Sequence, residues 1–441
     1  MGFILNSCEG LLNMRPKYDG QYNRTILKNG IRIVSEKIPW VSSVCLGVWV
    51  DIGSRNETPK ESGVSHLIEH MLFKGTKKRT AKQIAITLES IGGSLNAFTG
   101  RENTCYYAKV MDRDLGVAVD LLSDIIKNPL FAPIDFKKEK RVIMEEINEL
   151  EDSPSELIFD LFMESLYKKQ ALGKPILGTT DNIKRIKREE VLSYYRKNYI
   201  SPKIVVSASG NVSHKSLVRR VKEKFNFNQD IFDSYPKGKE KPVSFSQMTL
   251  TRRDIAQTHI CIGFPALDFN HSRKYPALVL SNILGGGMSS RLFQTVRENL
   301  GLVYNIQTFF DFYLDTGILG VYLATNSDDV HRAVEAVLGE LFKVKKSRLP
   351  KTELENAKYN LKGNLILGAE NVSYRMNRIA RHELYSRTYR SLRKSISAVE
   401  KVEATEVKEV AKNILNPKKI CVNILGPVKT NKIKNIDWKH F

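Results

Sequence analysis

Residues 63–75 read Gly-Val-Ser-His-Leu-Ile-Glu-His-Met-Leu-Phe-Lys-Gly. The stretch predicts an amphipathic helix from about Gly63 to Lys74, ending near Gly75. At about 100° per residue, His66 and His70 lie one above the other and Glu69 falls on the same side. Two neutral imidazoles four residues apart can grip one tetrahedral zinc, and a carboxylate between them can take a proton from a metal-bound water. The order His-x-x-Glu-His inverts the commoner His-Glu-x-x-His pattern.

Spacing alone does not separate a metal site from ordinary packing; a third ligand does. The segment from Pro133 to Glu151 predicts a long helix that starts on proline, a residue suited to the first helical turn. Projection places Glu139, Val142, Ile143, Glu146 and Leu150 on one stripe, with Glu145 and Glu149 further to the side as a solvated face. Two carboxylates on an otherwise apolar stripe are costly to bury unless paired or metal-bound. Glu146 is therefore expected as the third ligand, with Glu139 behind it as a group that orients a ligand.

With 441 residues, 42% apolar and 27% charged, the chain is long enough for two or more domains and is not short of core. Its 69 Lys and Arg exceed its 48 Asp and Glu, giving +21. The basic residues are scattered and not interleaved with aromatics, which fits solvated faces and argues against nucleic acid as a partner. The five cysteines (Cys8, Cys45, Cys105, Cys261 and Cys421) form no Cys-x-x-Cys pair, and Cys45 and Cys261 lie in apolar runs as small buried hydrophobes. A reducing compartment is expected. The N-terminal stretch has no cationic start or small-residue cleavage site, carries Glu9 and Asp19, and has no arginine before Arg15. Met14 is an alternative start. No apolar run reaches the roughly 18 residues that span a bilayer. The expectation is a bacterial cytoplasmic protein, with a mitochondrial-matrix-like location as the alternative.

Turn and strand signals divide the chain. An Asn-Gly turn lies within Thr25 to Glu36, strands are expected at Val41 to Ile52, Ser94 to Thr99 and Asn103 to Val110, and further helices near Thr80 to Ile91, Arg113 to Asn128 and Ser155 to Lys168. Residues 228–242, polar and with two prolines, read as a linker between a domain at 22–227 and another at 243–430. The order of elements then repeats. Val44-Cys45-Leu46-Gly47 is echoed by Ile260-Cys261-Ile262-Gly263, and the segment from His70 by that from Asn282. This is the period of a duplicated domain. In that alignment Leu278, Ser281 and Asn282 stand where the first half has His66, Glu69 and His70, so the metal site is expected once.

These motifs resemble the pitrilysin and insulinase (M16) family of zinc peptidases, in particular the subgroup that includes mitochondrial processing peptidase β-subunits and their bacterial relatives. Its pattern is His-x-x-Glu-His, followed about 75 residues later by Glu-x-x-Val-Ile-x-x-Glu. Here His70 and Glu146 are 76 positions apart, and Glu139, Val142, Ile143 and Glu146 fit. Gly53-Ser54-Arg55 and Glu151-Asp152-Ser153-Pro154 are similar too. The resemblance implies an α+β fold of two homologous domains, each a mostly antiparallel sheet packed with helices, of the LuxS and MPP metallohydrolase type. It also implies one Zn2+ per chain on His66, His70 and Glu146, with Glu69 as general base. Asn96, Ala97 and Phe98 resemble the edge strand to which an extended peptide substrate adds, and Arg297 and Tyr304 the pair that holds substrate from the second domain. Peptide substrates follow, and a homodimer or a heterodimer with a related inactive subunit. The rival is a non-catalytic scaffold subunit of the same fold.

Overall fold

The structure, a computed structural model, describes residues 19–226 and 241–429. Its first half opens with strands β1 (Gln21–Ile26), β2 (Arg32–Lys37) and β3 (Ser43–Val50), then helices α1 (Val64–Leu72) and α2 (Ala81–Glu89). Strands β4 (Ser94–Thr99) and β5 (Thr104–Met111) lead to helices α3 (Leu115–Lys127), α4 (Pro133–Glu151) and α5 (Pro154–Tyr167). Helices α6 (Thr180–Arg185) and α7 (Arg188–Asn198), strand β6 (Ile204–Gly210) and helix α8 (His214–Lys224) complete it.

The second half repeats the plan. Strands β7 (Gln247–Arg252) and β8 (Thr258–Ala266) precede helix α9 (Lys274–Gly285) and a π-helical turn at Phe293–Asn299. Strands β9 (Val303–Phe312) and β10 (Gly317–Thr325) follow, then α10 (Val330–Lys346), α11 (Lys351–Gly368), α12 (Val372–Tyr385), α13 (Leu392–Glu400), α14 (Ala404–Ile414) and β11 (Cys421–Gly426). Of the expected linker, residues 228–240 lie outside the described residues, as do Cys8, Met14 and the rest of 1–18.

Strand order exposes the duplication. One sheet runs β1-β2-β6-β3-β5-β4 and the other β7-β11-β8-β10-β9. Removing β1 leaves two five-stranded sheets of the same order, each with one parallel pair, β2 with β6 and β7 with β11. The other neighbours are antiparallel. The fold is thus α+β with two homologous, mostly antiparallel sheets, as expected.

Each sheet is covered on both faces. The larger cores lie against each half's own helices: Leu67, Ile68, Leu121 and Leu122 on the first sheet, and Leu280, Leu284, Val334 and Val337 on the second. The opposite faces are covered by exchange. Helix α5 packs on β8 and β11 of the second sheet, burying Phe162 and Ile158 against Cys261 and Ile318. Helix α12 packs on β3 and β6 of the first, burying Met376 and Ile379 against Cys45 and Val205. The recurrent Cys-x-Gly of the two central strands serves this contact. A Cβ on Gly47 would stand 2.5 Å from Met376 Sδ, and one on Gly263 2.5 Å from Phe162 Cζ. Cys45 and Cys261 are the small buried groups beside them. The halves defined by chain order are therefore interlocked.

Four helices escaped the sequence pattern: α6, α7, α13 and α14. All four have a side-chain or capping-box N-cap, at Thr179, Lys187, Ser391 and Glu403, but they run only 6 to 11 residues, too short for a clear period. Val142, placed on the apolar stripe of α4, is instead exposed: the buried stripe is narrower and consists of Phe136, Glu139 and Ile143. Among the described residues no helix is long and apolar enough to cross a membrane.

Candidate metal centre

Helix α1 begins at Gly63, whose φ of +93° is left-handed; a Cβ there would lie 2.7 Å from the Leu177 carbonyl oxygen. Gly63 has no side chain to cap the helix, and Glu57 does so instead. Its carboxylate accepts the backbone N–H groups of Gly63 and Ser65, each at 2.8 Å. Leu67, Ile68, Met71 and Leu72 are fully buried, which fixes the roll of the helix. His66, Glu69 and His70 are thereby turned to the opposite side, toward α4 and the edge strand β4.

Across from them, α4 presents Glu146. His70 Nε2 lies 3.5 Å from Glu146 Oε2, and His66 Nε2 lies 3.8 Å from the same oxygen. The imidazole centroids are 4.6 Å apart. One donor atom from each residue falls within 4.8 Å of the others, and this is the one such group of His, Cys, Asp and Glu among the described residues. Two turns earlier on α4, Glu139 is 4% exposed and accepts a hydrogen bond from His70 Nδ1 at 3.1 Å, while its other oxygen meets Lys74 Nζ at 2.9 Å. A proton on Nδ1 leaves the His70 Nε2 lone pair free on the side of Glu146.

Burial, reinforced by the neighbouring His70, pushes the His66 imidazole down to about 3, so it is neutral throughout the physiological range. Burial raises Glu146, against the attraction of His70 and with the negative charges of Glu139 and Glu149 adding to it. Burial also raises Glu69, partly offset by a 2.5 Å hydrogen bond from Thr99 Oγ1 and by His70. Two imidazole nitrogens and a carboxylate oxygen, converging within 4.8 Å, fit a borderline-soft divalent cation such as zinc. His66 Nδ1, by contrast, is buried with no hydrogen-bond partner.

The remaining expected residues fall into two groups. Asn96, Ala97 and Phe98 lie on β4, an outermost strand paired only with β5. The Asn96 carboxamide accepts the Ala97 backbone N–H at 2.7 Å, occupying one main-chain donor of that strand. Phe98 packs edge-on against Trp49. Arg297 and Tyr304 meet each other in the second half, the guanidinium 5.0 Å from the centre of a ring that is 77% exposed. The Arg297 guanidinium also lies over the Phe293 ring and 3.7 Å from the Glu298 carboxylate. Three residues that bear on the centre were not anticipated. Lys74 stands at the i+4 position from His70, a spacing that gave a usable clue. Thr99 belongs to the same expected edge strand as Asn96, Ala97 and Phe98, but its contact with Glu69 has no local signature. Glu57 acts across a loop and leaves no periodic trace.

The second half carries the same construction without the metal-binding chemistry. Ser281, in the place of Glu69, donates to Thr308 Oγ1 on β9 at 3.1 Å, as Glu69 meets Thr99 on β4. Asn282, in the place of His70, donates to Asn360 on α11 at 2.8 Å.

A sheet-and-helix duplication with one such centre is the plan of a two-domain metallopeptidase, and comparison with known proteins agrees. A model of the insulinase family (peptidase family M16) matches residues 32–180, and a model of the inactive M16 peptidase domain matches residues 185–361. An uncharacterized zinc protease of Streptomyces coelicolor is 36% identical over 423 residues, covering 95% of this chain and 92% of its own. YmxG of Bacillus subtilis, likewise an uncharacterized zinc protease, is 38% identical over 396 residues, 89% of this chain and 95% of its own. A crystal structure of a protease from Helicobacter pylori superposes with a TM-score of 0.87 at 20% identity, covering 93% of this chain and all of that one. The chain belongs to the M16 family of zinc proteases.

Proposed function

We propose that this protein is a zinc-dependent endopeptidase for peptides or unfolded, presequence-like segments, with one Zn2+ per chain held by His66, His70 and Glu146. The observation that carries this reading is the convergence of three donor atoms within 4.8 Å beside a buried carboxylate on the same helix. Zinc bound there supplies a Lewis acid that brings a water's pKa toward neutrality. Glu69 is the general base: Thr99 holds one carboxylate oxygen, burial strengthens its hold on a proton, and it returns that proton to the leaving amine. Glu139 orients His70 through Nδ1. The outer edge of β4 receives an extended substrate by backbone pairing, with Asn96, Ala97 and Phe98 along it, and Arg297 with Tyr304 steadies the chain from the second half.

The protein works as a homodimer or beside a related inactive subunit, which light scattering on a size-exclusion column distinguishes from a monomer. Four free, buried cysteines among the described residues support a reducing bacterial cytoplasm as its location.

Glu69→Gln tests the mechanism. It is expected to retain about one zinc by elemental analysis while losing cleavage of an unstructured fluorogenic peptide, typically by 100-fold or more. A Glu69→Gln protein that cleaves as fast as wild type overturns the reading. His70→Ala should lose the metal itself.

A further inference from the structure

The emptied copy of the centre has become a pocket. Between α9 and α11, at the place that corresponds to the metal centre between α1 and α4, lies a cavity of about 280 Å3. Asn282, Ser290, Glu353, Asn356 and Asn360 line it, together with the backbone around Gly287.

Its hydrogen-bonding capacity is only partly used. Asn282 and Asn364 both donate to the Asn360 carbonyl oxygen, at 2.8 and 3.1 Å, which saturates that oxygen and leaves the Asn360 amide N–H groups for another partner. Ser290 is 6% exposed, and its hydroxyl has no partner at all. A buried hydroxyl without a partner is destabilising, a cost removed by a group that enters the pocket and accepts or donates there. Charge narrows the choice. The carboxylate of Glu353 is matched by a two-pronged pair with Arg291 at 2.6 and 2.7 Å, so the lining carries no net charge, and it has no histidine or cysteine. Such a lining suits neither an anion nor a transition metal. It suits a neutral group of one acceptor and one or two donors, which is a carboxamide.

We infer that this pocket binds a carboxamide of a peptide, either a Gln or Asn side chain or a main-chain amide, at the position where the first half holds its metal. The identity of the peptide as substrate rests on the endopeptidase reading; the pocket's chemistry does not.

Binding of two capped, unstructured hexapeptides, identical except for one Gln or Ala, should be measured by calorimetry on the full-length Glu69→Gln protein. One well-placed hydrogen-bond pair predicts about three- to tenfold tighter binding of the Gln peptide. Equal binding of both, still weakened by pocket variants, assigns the contact to the main chain. Two variants remove the contact in different ways. Ser290→Ala deletes the orphan hydroxyl. Gly287→Phe fills the mouth at a glycine whose added Cβ meets nothing within 4 Å, and a denaturant unfolding curve matching wild type checks that this variant folds. Both should weaken binding of the Gln peptide, or of both peptides, while elemental analysis of zinc stays unchanged. If neither variant alters either peptide's affinity, or if neither peptide binds, the pocket assignment is wrong. Wild-type protein that cleaves peptides yet shows no effect of Gly287→Phe on KM sinks the pocket alone; selective Gln binding without any zinc-dependent cleavage sinks the peptidase reading alone.

Discussion

Glu139 shows how much a single side chain decides at this centre. It is a buried carboxylate between a ligand imidazole and a lysine, satisfied on both oxygens. Glu139→Gln retains the shape but lets the amide turn either an acceptor or a donor toward His70 Nδ1, and it removes the charge that faces Lys74. Zinc affinity, read by competition with a chelator of known strength, should fall about 10- to 100-fold. Unchanged affinity would mean that His70 needs no such partner. The sequence pointed to Glu139, Glu146, His66 and His70 because helical projection and the cost of burying carboxylates act locally. It did not reveal that Thr99 and Glu57 touch the same helix. A hydroxyl at a strand end and a carboxylate beyond a loop reach α1 only through the tertiary fold.

At the scale of the element, α1 owes its N-terminal cap to a residue outside it. Burial raises the Glu57 carboxyl from about 4.5 to about 7, against the hydrogen bonds from Ser65 and Gly63 and the positive charge of Lys174. The folded state therefore holds this proton more tightly than the unfolded chain does. The stability tied to it is complete below pH 4.5 and is lost as pH rises through 7. At higher pH that loss is on the order of 3 kcal/mol. Glu57→Gln cannot ionise, so its stability relative to wild type should improve steadily across that interval, measured by denaturant unfolding at a series of pH values. Parallel curves for the two proteins would refute the assignment. Element boundaries followed the same division between local and distant causes. Helix α4 begins at Pro133 and ends at Glu151, and β4 spans Ser94–Thr99, both as read from proline and from alternation. Short helices such as α6 are held by caps and by neighbours, and their own sequences do not announce them.

At the scale of the whole molecule, the exchange of α5 and α12 makes the two sheets one cooperative body. Phe162 belongs to the first half but is fully buried on the second sheet, against Gly263. Phe162→Ala should cost about 3–5 kcal/mol, and calorimetry should show one transition shifted as a unit. Separate melting of two parts would show that the interlock does not couple them. This arrangement could not be read from sequence, because an apolar helix face states that it is buried but not which sheet buries it.

A helix traded in both directions also bears on ancestry. A single copy of the repeated unit would leave one face of its sheet bare, so it could be stable only as a symmetric pair whose protomers swapped that helix. Such a pair would have carried two identical centres. In a single chain the two halves are free to differ in sequence, so one centre can keep His66 and His70 while its counterpart carries Leu278 and Asn282.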